Sequence, residues 1–304
     1  MKKRQHYVWR EYLREWSKNE QIFFLQNDTV FHSNIMNIAQ EKFFYQLQRI
    51  TYHDITWIRK IFIEDQPKLL QENNEGWLKL YSFVFDLENI VKQMGRNSST
   101  IDEAINVQIK TLGEEVNTHI ENIGIPLLMQ LRQEKTDFAR NDNEIMHFYY
   151  FISEQYFRTK RMKINFTDFH TDVFDDFNSC WNVCSHILAT TLGYNLYKER
   201  KKYGLFLLHN ESGIPFITGD QPIINTFGNQ KNKRKLDKDE FELFYPIKPN
   251  LALLVSDNMK NKSTKIKLSS DDVESYNDKI FDASYDQIYA NSEDVLKKAG
   301  KSKL

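Results

Sequence analysis

The chain has 304 residues, with 41 Lys and Arg against 42 Asp and Glu and a formal net charge of −1. That length suits one large core or two subdomains, and the charge balance excludes a surface coated in basic residues for nucleic acid while leaving room for local basic patches. No apolar run approaches the roughly 18 residues needed to cross a bilayer, and the basic opening MKKRQHYVWREYLREW has no apolar segment behind it, so no membrane association, no secretory signal and a cytoplasmic setting are expected.

In chain order, residues 1–35 read as extended. YVWREYL is rich in β-favouring aromatics, and IFFLQNDTVFHSNI reads as two short strands around an Asn27-Asp28 turn. Helical spacing then takes over. NIAQEKFFYQL and DITWIRKIFI fit short helices, and EGWLKLYSFVFDLENIVKQM fits a longer one with Gly95 as its C-terminal cap. The clearest helix runs from Ile101 to Leu131, with one apolar stripe through Ile105, Ile109, Leu112, Val116, Ile120, Ile123, Leu127 and Leu131. Ser99 or Thr100 is placed to cap it, with Glu103 completing a capping box against Thr100. Pro126 has no N–H for the carbonyl of Asn122, so a kink is expected one turn beyond Glu121. Further helices are expected over Asn143–Met162 and Asp175–Glu199. Cys180 and Cys184, four apart in the latter, read as buried thiols rather than a disulfide or part of a zinc site.

After Tyr203 the period becomes that of strands. GLFLLHNESGIPFITGD reads as two strands joined by a turn, FELFYPIKPNLALLVSD as two more, and KIKLS as a fifth. DDVESYNDKIFDASYDQIYA reads as a closing helix, followed by a frayed tail, KKAGKSKL. The expectation is therefore one α+β domain over residues 1–304. Its mixed, mainly antiparallel sheet is built from residues 1–35 and 203–304, and residues 36–202 form a large helical insertion.

Several of these stretches carry a second signal. QHYVWREYLREWS is similar to the HYVPxxYLRxF opening of domain-of-unknown-function family 4238, and HIENIGIPLLMQL to that family's Glu-containing helix. EQYFRTKR resembles its QxxRTP element, FITGDQP its TSDxP turn, FYPIKPNLAL its PLxP strand, and YNDKIFDASYDQIYA its Asn-containing closing helix. The blocks keep their order over nearly the whole chain. Trp9, Lys160 and Gly219 depart from the family's usual proline, proline and serine. The resemblance implies positions to watch and brings no established activity with it.

Those positions and the residue types at them define a candidate site. Asp220 sits where a strand opens into a turn before Pro222; it is either an Asx-turn carboxylate or a working acid. Glu121 shares a partly apolar row with Ile125 and Leu128, which makes it a half-buried acid or the partner of a neighbouring cation. Gln155 and Arg158 lie three apart, with Arg161 extending the row. A planar guanidinium beside an amide suits an oxyanion or phosphodiester, and suits a buried salt bridge to Glu121 or Asp220 equally. His6 is the candidate general base, or a satisfied core histidine; Arg14 and Asn277 complete the set.

The chain has no GxGxxG, P-loop, GxSxG, HExxH or paired CxxC. A metal-nuclease arrangement of Asp220 with an E-x-K on the next strand fails at its lysine, because Glu242 is followed by Leu243 and Phe244. The expected activity is phosphodiester hydrolysis, nuclease-like, as in a defence or toxin protein, at a site between helical layer and sheet. Asp220 and Glu121 would hold Mg²⁺ or Mn²⁺ or act as acid and base, with Arg158 and Gln155 on the phosphate and His6 moving a proton. Nucleic acid would be met by the basic patches FRTKRMK, KERKK and KNKRK. The alternatives are a non-catalytic module for a small anionic ligand or a protein partner, and a purely structural buried network.

Overall fold

The computed structural model describes residues 3–95, 99–169, 173–228, 241–257 and 264–301. The KNKRK cluster and the last three residues of the tail lie outside them.

The expected N-terminal hairpin is present. β2 (Gln21–Gln26) pairs antiparallel with β3 (Thr29–Asn34) around Asn27 and Asp28, whose φ values of 48° and 57° give the turn that matches strand twist. The segment before it is less extended than its aromatics suggest. β1 covers only Arg4–His6 and is followed by the short helix α1 (Arg10–Leu13) and a 3₁₀ turn at Arg14–Trp16. Its aromatic side chains drive burial rather than strand formation, since Tyr7, Trp9, Tyr12 and Trp16 all lie in the core. NIAQEKFFYQL is not a helix: Ala39 and Phe43, at φ 50° and 55°, bracket β4 (Gln40–Lys42), which pairs with β1.

The helical insertion begins with α2 (Tyr52–Ile58), continued by a π-turn at Arg59–Ile63. α3 (Lys68–Gln93) ends, as expected, at Gly95, whose φ of 64° suits a C-terminal cap. α4 (Ser99–Arg132) carries Pro126 inside it; Ser99 and Thr100 are already helical, so neither is the cap. The expected helix over Asn143–Met162 is two helices, α5 (Asp142–Phe157) and α6 (Lys160–Phe169). The break falls at Arg158 and Thr159, where the Thr159 hydroxyl accepts from the Met162 N–H at 3.3 Å and starts the second helix. α7 (Phe177–Lys198) is capped by Asp176 and holds both cysteines as free, buried thiols.

The remaining strands divide among sheets rather than forming one. β5 (Gly204–Asn210), β7 (Ile224–Asn225), β8 (Glu242–Lys248), β9 (Leu251–Ser256) and β10 (Lys265–Leu268) build a sheet of order β10-β5-β9-β8-β7, antiparallel except for the β10–β5 pair. β6 (Thr218–Gly219) does not form a hairpin with β5. It joins β11 (Ile288–Ala290), which lies between it and β2, in the order β3-β2-β11-β6. The closing helix is likewise divided: α8 (Ser270–Ala283) is followed by β11 and then α9 (Glu293–Lys301). That four-stranded sheet joins both ends of the chain, as anticipated; the five-stranded one is C-terminal alone.

Alternation along β5, β8 and β9 sets the layers. Leu205, Leu207, Leu243, Tyr245, Leu251, Leu253 and Val255 pack against α4, α5 and the N-terminal segment. Phe206, Leu208, Phe244, Ala252 and Leu254 point the other way, onto α8 and the four-stranded sheet. A further core lies within the helical layer, between α3, α6 and α7. The α+β fold class is thus as expected, with helices packed on one face of a sheet and a second sheet on the other.

Where α4 meets α5, the Phe151 ring fills the space beside a glycine. A Cβ at Gly124 would sit 2.2 Å from a ring carbon of Phe151. Gly124→Ala is therefore expected to destabilise the protein by roughly 1–3 kcal/mol through overpacking, read as a lower urea midpoint at unchanged slope.

Candidate functional site

The residues singled out in the sequence arrive at one seam, and the geometry there is that of a joint. α5 ends at Arg158, whose backbone N–H donates to the carbonyl of Glu154. Its guanidinium is buried, and each of its three nitrogens donates one hydrogen bond. Nε donates to the Tyr45 hydroxyl at 2.8 Å, Nη1 to Glu121 at 2.6 Å, and Nη2 to the backbone carbonyl of His6 at 2.8 Å. Burial opposes its charge, but the Tyr45 phenol and the Glu121 carboxylate outweigh it and hold its pKa above that of an ordinary arginine. One side chain thus ties β1, the segment after β4, α4 and the end of α5 together. Gln5 adds to the same tie, accepting from the Tyr45 N–H at 2.7 Å and donating to the Lys110 carbonyl at 3.0 Å.

Asp220 ends β6 in full burial. Its carboxylate accepts from the N–H groups of Tyr285 (2.7 Å), Asp286 (2.7 Å) and Gln287 (3.0 Å), the turn between α8 and β11. Burial raises its pKa to about 6, against those three donors. Gly219 beside it has no room for the family's serine, because a Cβ there would lie 1.9 Å from the Ser284 hydroxyl. Gln221 carries the link across the seam: its side-chain carbonyl accepts from the Thr159 hydroxyl, and its amide donates to the carbonyls of Tyr156 (3.1 Å) and Ile223 (2.7 Å).

The structure joins His6 and Glu121 through Arg158, which donates to the His6 backbone carbonyl and to the Glu121 carboxylate. Asp220 is linked to them through the Gln221–Thr159 bond and through Tyr7, whose hydroxyl is held above the ordinary phenol range by burial and then by the Asp220 charge. Gln155 is buried in the same region, and its amide nitrogen has no hydrogen-bond partner among the described residues. It shares no face with Arg161, which lies beyond the helix break on α6. Asn277 pins the strand before Asp220, accepting from Ile217 N–H and donating to the Pro215 carbonyl, each at 3.0 Å. Arg14 is half exposed and pairs with Glu20 at 2.8 Å and with Glu11. The basic clusters are partly spoken for as well, with Lys160 on Glu41 at 2.7 Å and Arg200 on Asp142 at 3.0 Å.

Asp220 and Glu121 belong to no common group of metal donors. Among the described residues, the one set of three such side chains that converges is His53, Asp54 and Asp175. The Trp57 indole donates to His53 Nε2 at 3.0 Å, so the neutral ring carries its proton on Nδ1, facing Asp54 (3.6 Å) and Asp175 (3.4 Å). Those Nδ1 separations are longer than hydrogen bonds, and the buried Asp54 Oδ2 has no hydrogen-bond partner among the described residues.

Two features escaped the sequence. Within the helical layer Glu154, His186 and Tyr81 form a buried chain, with Glu154 to His186 Nδ1 at 2.8 Å and His186 Nε2 to the Tyr81 hydroxyl at 2.7 Å. Trp77 stacks on the imidazole at 4.5 Å. In front of it opens a cleft of about 740 Å³ between α3, α4, α5 and α7, walled by Trp77, Leu80, Ile120, Ile123 and Tyr150, with Thr190 inside and Glu115, His119 and His147 also lining it. The signal available was Glu154 beside Gln155 and the apolar row of α4; nothing in the spacing showed that the row leaves a gap.

Fold and seam together define an α+β protein whose sheets and helical layer are locked by a buried arginine-centred joint. Residues 4–294 match the family described as "Protein of unknown function (DUF4238)", and the chain belongs to that family. No curated protein and no solved structure matches the chain significantly. Among the described residues no helix is long and apolar enough to cross a membrane.

Arg158→Ala is expected to cost roughly 3–5 kcal/mol, because it strands a half-buried Glu121 and the Tyr45 hydroxyl; chemical denaturation measures it. Asp220 yields a pH signature. Its folded pKa lies above the unfolded value, so the native state binds the extra proton and the contribution is complete below about pH 4 and lost as pH rises to about 6. Wild type should lose roughly 2–3 kcal/mol relative to Asp220→Asn across that window; parallel pH profiles of the two melts would show no divergence if this titration were absent.

Proposed function

We propose that the chain is a non-catalytic binding module. Its cleft between α3, α4, α5 and α7 receives a small ligand with an apolar body and an anionic head, and the motif residues at the seam hold the frame. The observation that carries this reading is the cleft itself: aromatic and aliphatic walls with a few polar groups among them are the usual make-up of a small-molecule site. His119 and His147 supply ring N–H donors for an anionic head, while Glu115 favours a head that also carries a donor of its own. The stacked Trp77 is backed by the Glu154–His186–Tyr81 chain, which fixes the indole-facing wall in one orientation.

The seam supports binding over phosphodiester hydrolysis for a physical reason. A general base or metal ligand needs a lone pair directed at the substrate. Asp220 gives its carboxylate oxygens to three backbone N–H groups, and each of the three Arg158 guanidinium nitrogens donates to a protein acceptor.

The test has two arms. Anilinonaphthalene sulfonate, an aromatic body with an anionic head, should gain fluorescence with the wild type and lose most of that gain with Ile123→Trp, which fills the cleft. RNA and DNA incubated with Mg²⁺ or Mn²⁺ should remain intact. Cutting by the wild type that a folded Asp220→Asn variant lacks would replace binding with hydrolysis; probe fluorescence indifferent to Ile123→Trp would remove the cleft.

A further inference from the structure

α3 presents a second face that the fold leaves uncovered. Its inner face, through Leu70, Asn74, Leu78, Tyr81 and Val84, is buried. Along its outer edge Leu69, Phe83, Leu87, Ile90 and Met94 are 60, 56, 39, 45 and 65 % exposed. Single exposed apolar side chains are ordinary, but these fall on one line. With Asn73, Gly76 and Leu80 they occupy steps of four and three throughout the helix, the repeat of a coiled-coil seam. At 1.5 Å per residue the 26-residue helix carries this seam for about 40 Å.

We infer that this seam pairs antiparallel with the α3 helix of a second copy of the chain. The pairing register follows from size and charge. Centring the two helices between Leu80 and Phe83 stacks Leu80 on Phe83, Gly76 on Leu87, Asn73 on Ile90 and Leu69 on Met94, each layer occurring twice about the two-fold axis. Gly76 is where a large partner fits, since a Cβ placed there meets no atom within 4 Å; the opposing Leu87 fills that space. A parallel pair would set Gly76 against Gly76 and leave a void.

Charge selects the same arrangement. The flanking positions on the side away from the core are Glu72, Lys79, Asp86 and Gln93. In the antiparallel register Lys79 of each copy faces Asp86 of the other, giving two symmetric ion pairs, and Glu72 faces Gln93 without repulsion. Neither Lys79 nor Asp86 has an ion-pair partner among the described residues of its own chain. Asn73, Gly76 and Leu80 of the seam also line the cleft, so pairing and ligand entry share this edge, although the pairing does not rest on the ligand-binding reading.

Light scattering coupled to size exclusion tests it on the full chain at about 50 μM, a concentration at which interfaces of micromolar strength assemble. The expected mass is twice 36.4 kDa. Leu87→Asp should weaken self-association by roughly tenfold or more, as loss of a central anchor does, with circular dichroism unchanged because the side chain is exposed. Lys79→Asp and Asp86→Lys should each weaken it, and the double charge swap should restore it. A monomeric wild type overturns the proposal, whether another helical protein or a lipid surface covers the face. A dimer indifferent to Leu87→Asp overturns it too, and single swaps that the double swap fails to rescue overturn the antiparallel register.

Discussion

The Arg158 guanidinium is the constraint on which the arrangement of layers depends. A buried cation without partners would be prohibitively costly, so its position obliges Tyr45, Glu121 and the His6 carbonyl to meet at one point. Those three come from segments far apart in sequence, and each is fixed in turn by its own element. The hydrophobic cores on the two faces of the five-stranded sheet supply most of the driving force. They tolerate sliding; the fork of Arg158 does not, because its donors lie in one plane at fixed angles.

Asp220 performs the equivalent task on the sheet side. Three backbone N–H groups in the part-buried turn between α8 and β11 need acceptors. One carboxylate meets all three and so fixes how the last strand enters between β2 and β6. Thr159 and Gln221 then fasten the two joints to each other. The motif residues HYV, QYFRT and GDQP are therefore one mechanical device distributed over the chain.

This explains what could be read from sequence and what could not. The pairing of Arg158 with Glu121 was one of the readings the sequence offered, and the structure shows it; His6 joins only through its backbone carbonyl, and Asp220 is held apart by backbone N–H groups. The fold class was legible from the change of period near Tyr203, and the helix C-terminus at Gly95 from its left-handed cap. The break between α5 and α6 was not, since Tyr156 and Met162 continue the helical spacing through it and only the Thr159 cap interrupts it. β4 was hidden for a similar reason: Ala39 and Phe43 adopt positive φ without being glycine, and tertiary pairing with β1 overrides their helical propensity. Nor could the sequence reveal that Arg158 would be met by Tyr45 and the His6 carbonyl, or Asp220 by backbone N–H groups, which depends on distances rather than on residue type.

The engagement of Arg158 and Asp220 at the seam shifts attention to exposed apolar surface, and α3 carries much of it. Its inner face contributes Leu78, Tyr81 and Val84 to the helical core, its Trp77 edge walls the cleft, and its outer edge carries the exposed heptad stripe. The apolar residues of α3 cover a wide arc, while Lys68, Gln71, Glu75, Lys79, Ser82, Asp86, Asn89 and Gln93, at steps of three and four, keep one polar stripe along the helix. A helix needed only for the core of its own domain would show a single stripe. On α3 the apolar arc runs past the inner face to the exposed Phe83, Leu87 and Ile90, and the joint at Arg158 holds the helical layer from behind while that surface is presented in front.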